Sequence, residues 1–334
     1  MSANAGMNEA VSAGGLRGVG RSLALIAGDI KIAHSVFALP FAVLGAFLAA
    51  WTVAPFGGEA LGGAGSVWRS FVGKLALVVV CMVFARTWAM LFNRLVDRDI
   101  DAGNERTKRR VFASGALSAS RGWGIALACA AGFVGAAGLF WVFFQNAWPV
   151  VLSVPVLVWI AFYSLTKRFT ALCHVFLGGA LAVSPIAAAI AVSPGAVFGN
   201  ERQVVLLWIA GFVMAWVAGF DVIYALQDEA FDRAKGLNSV PAKLGTNGAV
   251  WVSRVLHASA LVCIAMAWRS DARFGWIFGT GVIAVAGLLL WEHWIVLGMQ
   301  RRGDRVGLDM AFFTINGIAS CVLGTLGVVD VLVA

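Results

Sequence analysis

The chain has 334 residues, of which 60% are hydrophobic and 13% charged, with a formal net charge of +8 and a mean hydropathy of +0.87. Soluble domains carry about one quarter charged residues, so this balance excludes that class and defines a polytopic membrane protein.

Residues 1–22 are rich in Ala, Gly and Ser without a continuous apolar core, so a loose tail is expected there and a cleaved signal peptide is not. Residues 23–334 read as a single transmembrane domain. Apolar runs of about 20 residues, the length that crosses a bilayer core, start near His34, Leu75, Trp123, Trp148, Ala171, Val204, Ala249, Phe274 and Phe312. They predict an all-α bundle of nine transmembrane helices. The third and fourth runs are close enough to form a tight helical hairpin across Asn146 to Trp148. Pro40, Pro155 and Pro185 fall inside runs and are expected to kink them, which a membrane bundle tolerates where neighbouring groups satisfy the freed carbonyls. Cys81, Cys129, Cys173, Cys263 and Cys321 stand singly in apolar surroundings and read as packing residues.

Lys and Arg are distributed unequally between alternate loops. With the N-terminus cytoplasmic, eighteen lie on the inside and five on the outside, and Arg86 and Arg254 fall within runs. This predicts an N-in, C-out membrane protein. The positive charge then serves topology and the anionic lipid surface, and a nucleic-acid partner is not expected.

Two runs end in acidic rows on that cytoplasmic side. The second leads into Asn93, Asp97 and Asp101, and the sixth into Asp221, Asp228 and Asp232. Four residues advance a helix by about 40° beyond one turn, so each row forms a stripe of oxygen ligands. Crowded carboxylates repel unless a cation or shared protons neutralise them, and oxygen donors favour hard ions such as Mg²⁺, whose shell is commonly completed by phosphate and water. Asn93, Asp97, Asp101, Asp228 and Asp232 are the expected metal ligands, with Asp221 a further catalytic candidate. Asp99 and Glu229 fall off the stripes and are expected to be solvated or paired with loop cations. The two halves echo each other, which predicts that Asp97 and Asp228 approach across a shared cavity.

Over nearly its whole length the sequence resembles the UbiA superfamily of intramembrane aromatic prenyltransferases. The resemblance rests on the two acidic rows and on Tyr163-Ser-Leu-Thr-Lys167-Arg168-Phe-Thr170 between them. It implies a nine-helix α-bundle with Asn93, Asp97 and Asp101 in the first Asp-rich motif and Asp228 and Asp232 in the second. The segments Ile30 to Phe41 and Arg86 to Asn93 look like bacterial members assigned as 4-hydroxybenzoate polyprenyltransferases. Similar members are associated with 1,4-dihydroxy-6-naphthoate in a menaquinone route. Arg109-Arg110-Val111 departs from the Asn-Arg-Pro run frequent in relatives.

The expected reaction joins the lipid tail of a polyprenyl diphosphate to the ring of an aromatic acid. Lys108, Arg109 and Arg110 follow the first row in a loop suited to the diphosphate, and Lys167 and Lys243 are further candidates from other loops; Tyr163 belongs to the same substrate-binding set. Arg86 lies seven residues before Asn93, on nearly the same face and about 10 Å deeper. A charge at that depth marks function by default, here contact with the acceptor's carboxylate, with a buried pair to Asp221 as the structural alternative. Lys31 and His34, near the cytoplasmic entrance, are candidate acceptor contacts. A cation-coupled transporter is the other function class; such proteins place charge near the bilayer midplane, whereas these rows sit at its boundary.

Overall fold

The computed structural model describes residues 20, 22, 25–29, 37–50, 64–199, 203–302, 308 and 310–334. All but two positions of the tail expected over residues 1–22 lie outside that set, as do Lys31 and His34. Nine apolar helices make up the described bundle: α1 Leu39–Ala50, α2 Ala64–Val96, α3 Ala119–Phe144, α4 Trp148–Thr166, α5 Cys173–Val192, α6 Gln203–Tyr224, α7 Val240–Ser270, α8 Trp276–Arg302 and α9 Asn316–Val333. Eight are long and apolar enough to cross a membrane, and α1 is a shorter apolar helix of 12 residues. Among the described residues no strand occurs, as expected where only closed hydrogen-bond patterns can face lipid.

The helices begin and end where local chemistry directs. Ser118 caps α3, its hydroxyl accepting from the Arg121 amide. Gln145 then takes a left-handed conformation (φ 54°) that stops α3 and turns the chain into α4, as the tight hairpin requires. Asn146, buried in this turn, donates to the carbonyls of Ile190 (2.9 Å) and Ala191 (3.0 Å) at the end of α5. Pro155 and Pro185 lie inside α4 and α5, whereas Pro40 is the second residue of α1, where a missing N–H costs nothing.

Helix α6 is the hub. It packs on α5 and α7, while α1 packs on α5 and α9. Close approach needs small residues: a Cβ on Gly178 of α5 would stand 2.2 Å from the Met214 carbonyl oxygen of α6, and one on Gly45 of α1 would stand 2.2 Å from that of Pro185. Without a hydrophobic force between helices in lipid, such van der Waals contact and buried polar bonds hold the bundle. Trp216 of α6 is fully buried against Phe41, Phe212 and Phe220. Its indole N–H donates to Asn316 Oδ1 (2.6 Å), and the Asn316 amide donates to buried Glu292 (3.3 Å). His257 and His293 meet at 3.1 Å as a contact between α7 and α8. The five cysteines are free thiols. Exposed Trp141, Trp251, Trp276 and Trp294 belong to the outer, lipid-facing surface.

Candidate active site

The second helix runs straight into the first acidic row, with Asp97 at a turn and Asp101 in the short helix Arg98–Ala102. The sixth narrows to a 3₁₀ turn over Ala225–Asp228 before the short helix Glu229–Ala234. Both rows therefore end at one mouth of the bundle. They line the same cavity, of about 670 Å³, and Asp97 and Asp228 both face it. Its interior wall is apolar, drawn from α2 to α6, and includes Val78, Met82, Phe133, Phe140 and Ile190.

The carboxylates do not stand as a bare cluster, because Asp97, Asp101, Asp228 and Asp232 each hold a cation. Arg168 reaches Asp97 at 2.7 Å and also donates to the carbonyls of Val96 and Ser164. Arg110 straddles both oxygens of Asp101 at 2.7 and 2.8 Å. Arg106 forks onto both oxygens of Asp228, and Asn104 donates to the same carboxylate at 2.9 Å. Lys167 pairs with fully buried Asp232 at 2.8 Å, whose other oxygen accepts from Ser239 Oγ at 2.7 Å. Asn93 donates to Asp97 at 3.1 Å. Burial holds the Asp97 carboxyl above its ordinary pKa despite the opposing pull of Arg168. Burial also works against the Arg106 charge, but the bond to Asp228 and its negative charge prevail, and the guanidinium is raised.

These bonds stitch the halves together, since Asn104 and Arg106 come from the loop after the first row and Asp228 from the second. Asn238, beyond the second row, donates its backbone N–H to the Lys167 carbonyl and its amide to that of Arg168. Gly236, at φ +68°, supplies the left-handed turn that brings this segment back.

The structure separates the basic candidates. Lys167 and Tyr163 line the cavity, as does Arg86, which interacts electrostatically with Tyr163. Lys108 pairs with Glu105, Arg109 is exposed, and Lys243 is exposed at the start of α7; none of the three lines the cavity. Of the expected first-loop residues Lys108, Arg109 and Arg110, Arg110 alone lines the cavity, and Arg106, on the other side of Lys108, joins it. Asp99 pairs with Arg98, and Glu229 with Arg233 and Thr246, away from the stripes as expected. Asp221 lines the cavity and bonds not to Arg86 but to His174, at 2.6 Å. His174, Asn104 and Arg106 are the residues that sequence reasoning passed over. The signal for Arg106 was its place in the same basic loop, while His174 carried none.

Among the described residues, no three His, Cys, Asp or Glu side chains already converge as a closed metal cage. The donor set nevertheless suits Mg²⁺: it is made of hard oxygens only, it surrounds an open cavity, and it is interleaved with Arg and Lys fit for phosphate. An ion that keeps water and substrate oxygens in its shell needs no closed protein cage.

A bundle of membrane-spanning helices with a charged mouth and an apolar interior offers a cavity suited to an amphiphilic ligand. The chain belongs to the UbiA prenyltransferase family, whose model matches residues 38–316. It is 27% identical to a 4-hydroxybenzoate octaprenyltransferase of Shewanella sp. (strain ANA-3) over 227 residues, which are 68% of this chain and 75% of that protein. It is 28% identical to the protein of the same name from Shewanella halifaxensis, covering 67% and 74% of the two chains. A UbiA homologue from Aeropyrum pernix K1, in its apo form, shares the fold with a TM-score of 0.70 and 28% identity over 90% of this chain and 98% of that one. A homologue from Archaeoglobus fulgidus, bound to GPP and Mg²⁺, matches at a TM-score of 0.61 and 18% identity over 92% and 99%, a likeness of fold alone.

Proposed function

We propose that this protein transfers a polyprenyl group from polyprenyl diphosphate to the ring of an aromatic acid, 4-hydroxybenzoate in the first instance, in ubiquinone biosynthesis. The observation that carries the reading is the single cavity with both acidic rows and four interleaved cations at its mouth and apolar side chains within. Family membership and the names of the Shewanella relatives support it. Transport of a coupling cation does not fit a prenyltransferase family member whose acidic rows lie at the mouth. The mouth is assigned to the cytoplasmic side of an inner membrane from the Lys and Arg asymmetry.

Asn93, Asp97, Asp101, Asp228 and Asp232 would hold Mg²⁺, which supplies charge to bind the diphosphate and stabilise it as it leaves. Arg106, Arg110, Lys167 and Arg168 neutralise these carboxylates and would turn to phosphate oxygens when substrate enters. The apolar wall holds the prenyl tail and keeps water from the electron-poor allylic carbon. Deeper in, Arg86 holds the acceptor's carboxylate, with Tyr163 beside it, so that the ring faces that carbon.

Purified protein in lipid nanodiscs, given Mg²⁺, a polyprenyl diphosphate and 4-hydroxybenzoate, is expected to form a product with the mass of the acceptor plus the prenyl group less one hydrogen. A panel that includes 1,4-dihydroxy-6-naphthoate tests the acceptor. Turnover of the naphthoate alone would replace hydroxybenzoate; no prenylated aromatic from any acceptor would refute the reading.

A further inference from the structure

Asp221 differs from the row carboxylates in what holds it. Those are bridged by Arg or Lys, whereas Asp221 Oδ2 meets His174 Nδ1 at 2.6 Å. His174 is buried at the start of α5, and its Nε2 lies 3.2 Å from the backbone N–H of Val240. A backbone N–H can only donate, so Nε2 offers a lone pair and the ring proton sits on Nδ1. The bond has a structural cause: Val240 opens α7, and its N–H is one of the amides a helix start leaves without an internal acceptor. The imidazole is thereby fixed as a neutral donor to Asp221. This bond occupies Asp221 Oδ2 in the cavity wall, and Oδ1 remains outside it.

The position matches a chemical need. Asp221 lies seven residues before Asp228, and Arg86 seven before Asn93, so both sit roughly 10 Å inside the rows, at the acceptor's depth. Tyr163, which interacts electrostatically with Arg86, does so with Asp221 as well.

We propose that Asp221 is the base that removes the ring proton after the new carbon–carbon bond forms, and that His174 is its positioning residue. This rests on the aromatic-acceptor reading. In the step, the carbon–oxygen bond to diphosphate breaks with its electrons leaving on diphosphate, and a ring π pair then bonds to the allylic carbon. The attacked ring carbon then carries both its new bond and its original hydrogen. Asp221 takes that hydrogen as a proton, the C–H pair restores the aromatic ring, and the carboxyl passes the proton to solvent as products depart.

The test compares the full-length protein with Asp221→Asn, His174→Leu and His174→Asn, using 4-hydroxybenzoate with hydrogen or deuterium beside the hydroxyl. In parallel, a polyprenyl diphosphate labelled with ¹⁸O at the bridging oxygen reports reversible ionisation by scrambling of the label. The native protein is expected to show no ring isotope effect. Asp221→Asn should lose about 100-fold or more in product formation, as for a missing general base, acquire a primary isotope effect, and still scramble the label. His174→Leu should fall between the two with a raised isotope effect, and His174→Asn, whose amide can donate from the Nδ1 position, should recover. Should Asp221→Asn make no measurable product, retained scrambling supports the assignment. Scrambling lost together with product would move Asp221 to the diphosphate, and an active Asp221→Asn without an isotope effect would remove it from the chemistry. A native protein that scrambles label but prenylates no aromatic acid would instead overturn the acceptor reading.

Discussion

Replacing Arg106 by Leu separates the site seen in three dimensions from the one suggested by charge along the chain. Arg106 is the side chain that ties the first-row loop to the second row, through a fork onto Asp228, a bond to the Tyr224 hydroxyl at 3.2 Å and stacking over that ring. Hydrogen bonds to charged groups contribute about 1.5–3 kcal/mol each. The Arg106 side chain is 31% exposed, so solvent screening discounts that figure. On the proposed function Asp228 would hold Mg²⁺ and the same fork would be free for the diphosphate, where its net worth is taken as about 2 kcal/mol. At 1.36 kcal/mol per tenfold, that amounts to a loss of roughly 30-fold in kcat/KM for the polyprenyl diphosphate. Arg106→Lys keeps the charge without the fork and should recover part of the loss. Arg109→Leu, in an exposed side chain off the cavity, should stay within about twofold, as surface changes do. The assay is product mass against diphosphate concentration at saturating acceptor. Equal losses for Arg106→Leu and Arg109→Leu would show that the loop acts through bulk charge and would refute the assignment by geometry.

Three further outcomes are expected. Arg86→Leu should raise the KM of the aromatic acid by about tenfold or more, the worth of one charged hydrogen bond, with little change for the diphosphate; equal shifts in both would defeat its place at the acceptor. Asn146→Ala strips donors from the carbonyls of Ile190 and Ala191 and should cost about 2–3 kcal/mol, read as a lower melting temperature in detergent. An unchanged transition would mean those carbonyls find other donors. Gly178→Ala places a methyl against the Met214 carbonyl and should destabilise the α5–α6 contact by about 1–3 kcal/mol; a stability equal to the native protein's would show that the two helices can part freely.

The membrane makes much of this fold legible from its residues. Lipid demands an apolar run of bilayer length for every crossing, so the runs beginning near Leu75, Trp123, Trp148, Val204 and Phe274 correspond to helices in place. The α3–α4 hairpin was visible for the same reason, since few residues separate two crossings. The run near His34 corresponds to α1, of which twelve residues are described, but its place against α5, where Gly45 meets Pro185, was not legible. The acidic rows were legible because helical period is local, and Asn93, Asp97 and Asp101 needed no knowledge of distant chain.

What the residues determined by themselves was the membrane class, the run of crossings and the two rows of oxygen donors, all set by interactions within a few turns or with lipid. The tertiary structure alone decided which cation meets which carboxylate. Lys108 and Arg109 have the same chemistry as Arg106 and Arg110, but residues 103–118 are mostly successive turns without helical period, so only the path of the loop selects the pair that points inward. Likewise His174 lies 47 positions from Asp221 and 66 from Val240. No periodicity links such distances; they close only because α5, α6 and the start of α7 pack together and leave one helix amide seeking an acceptor.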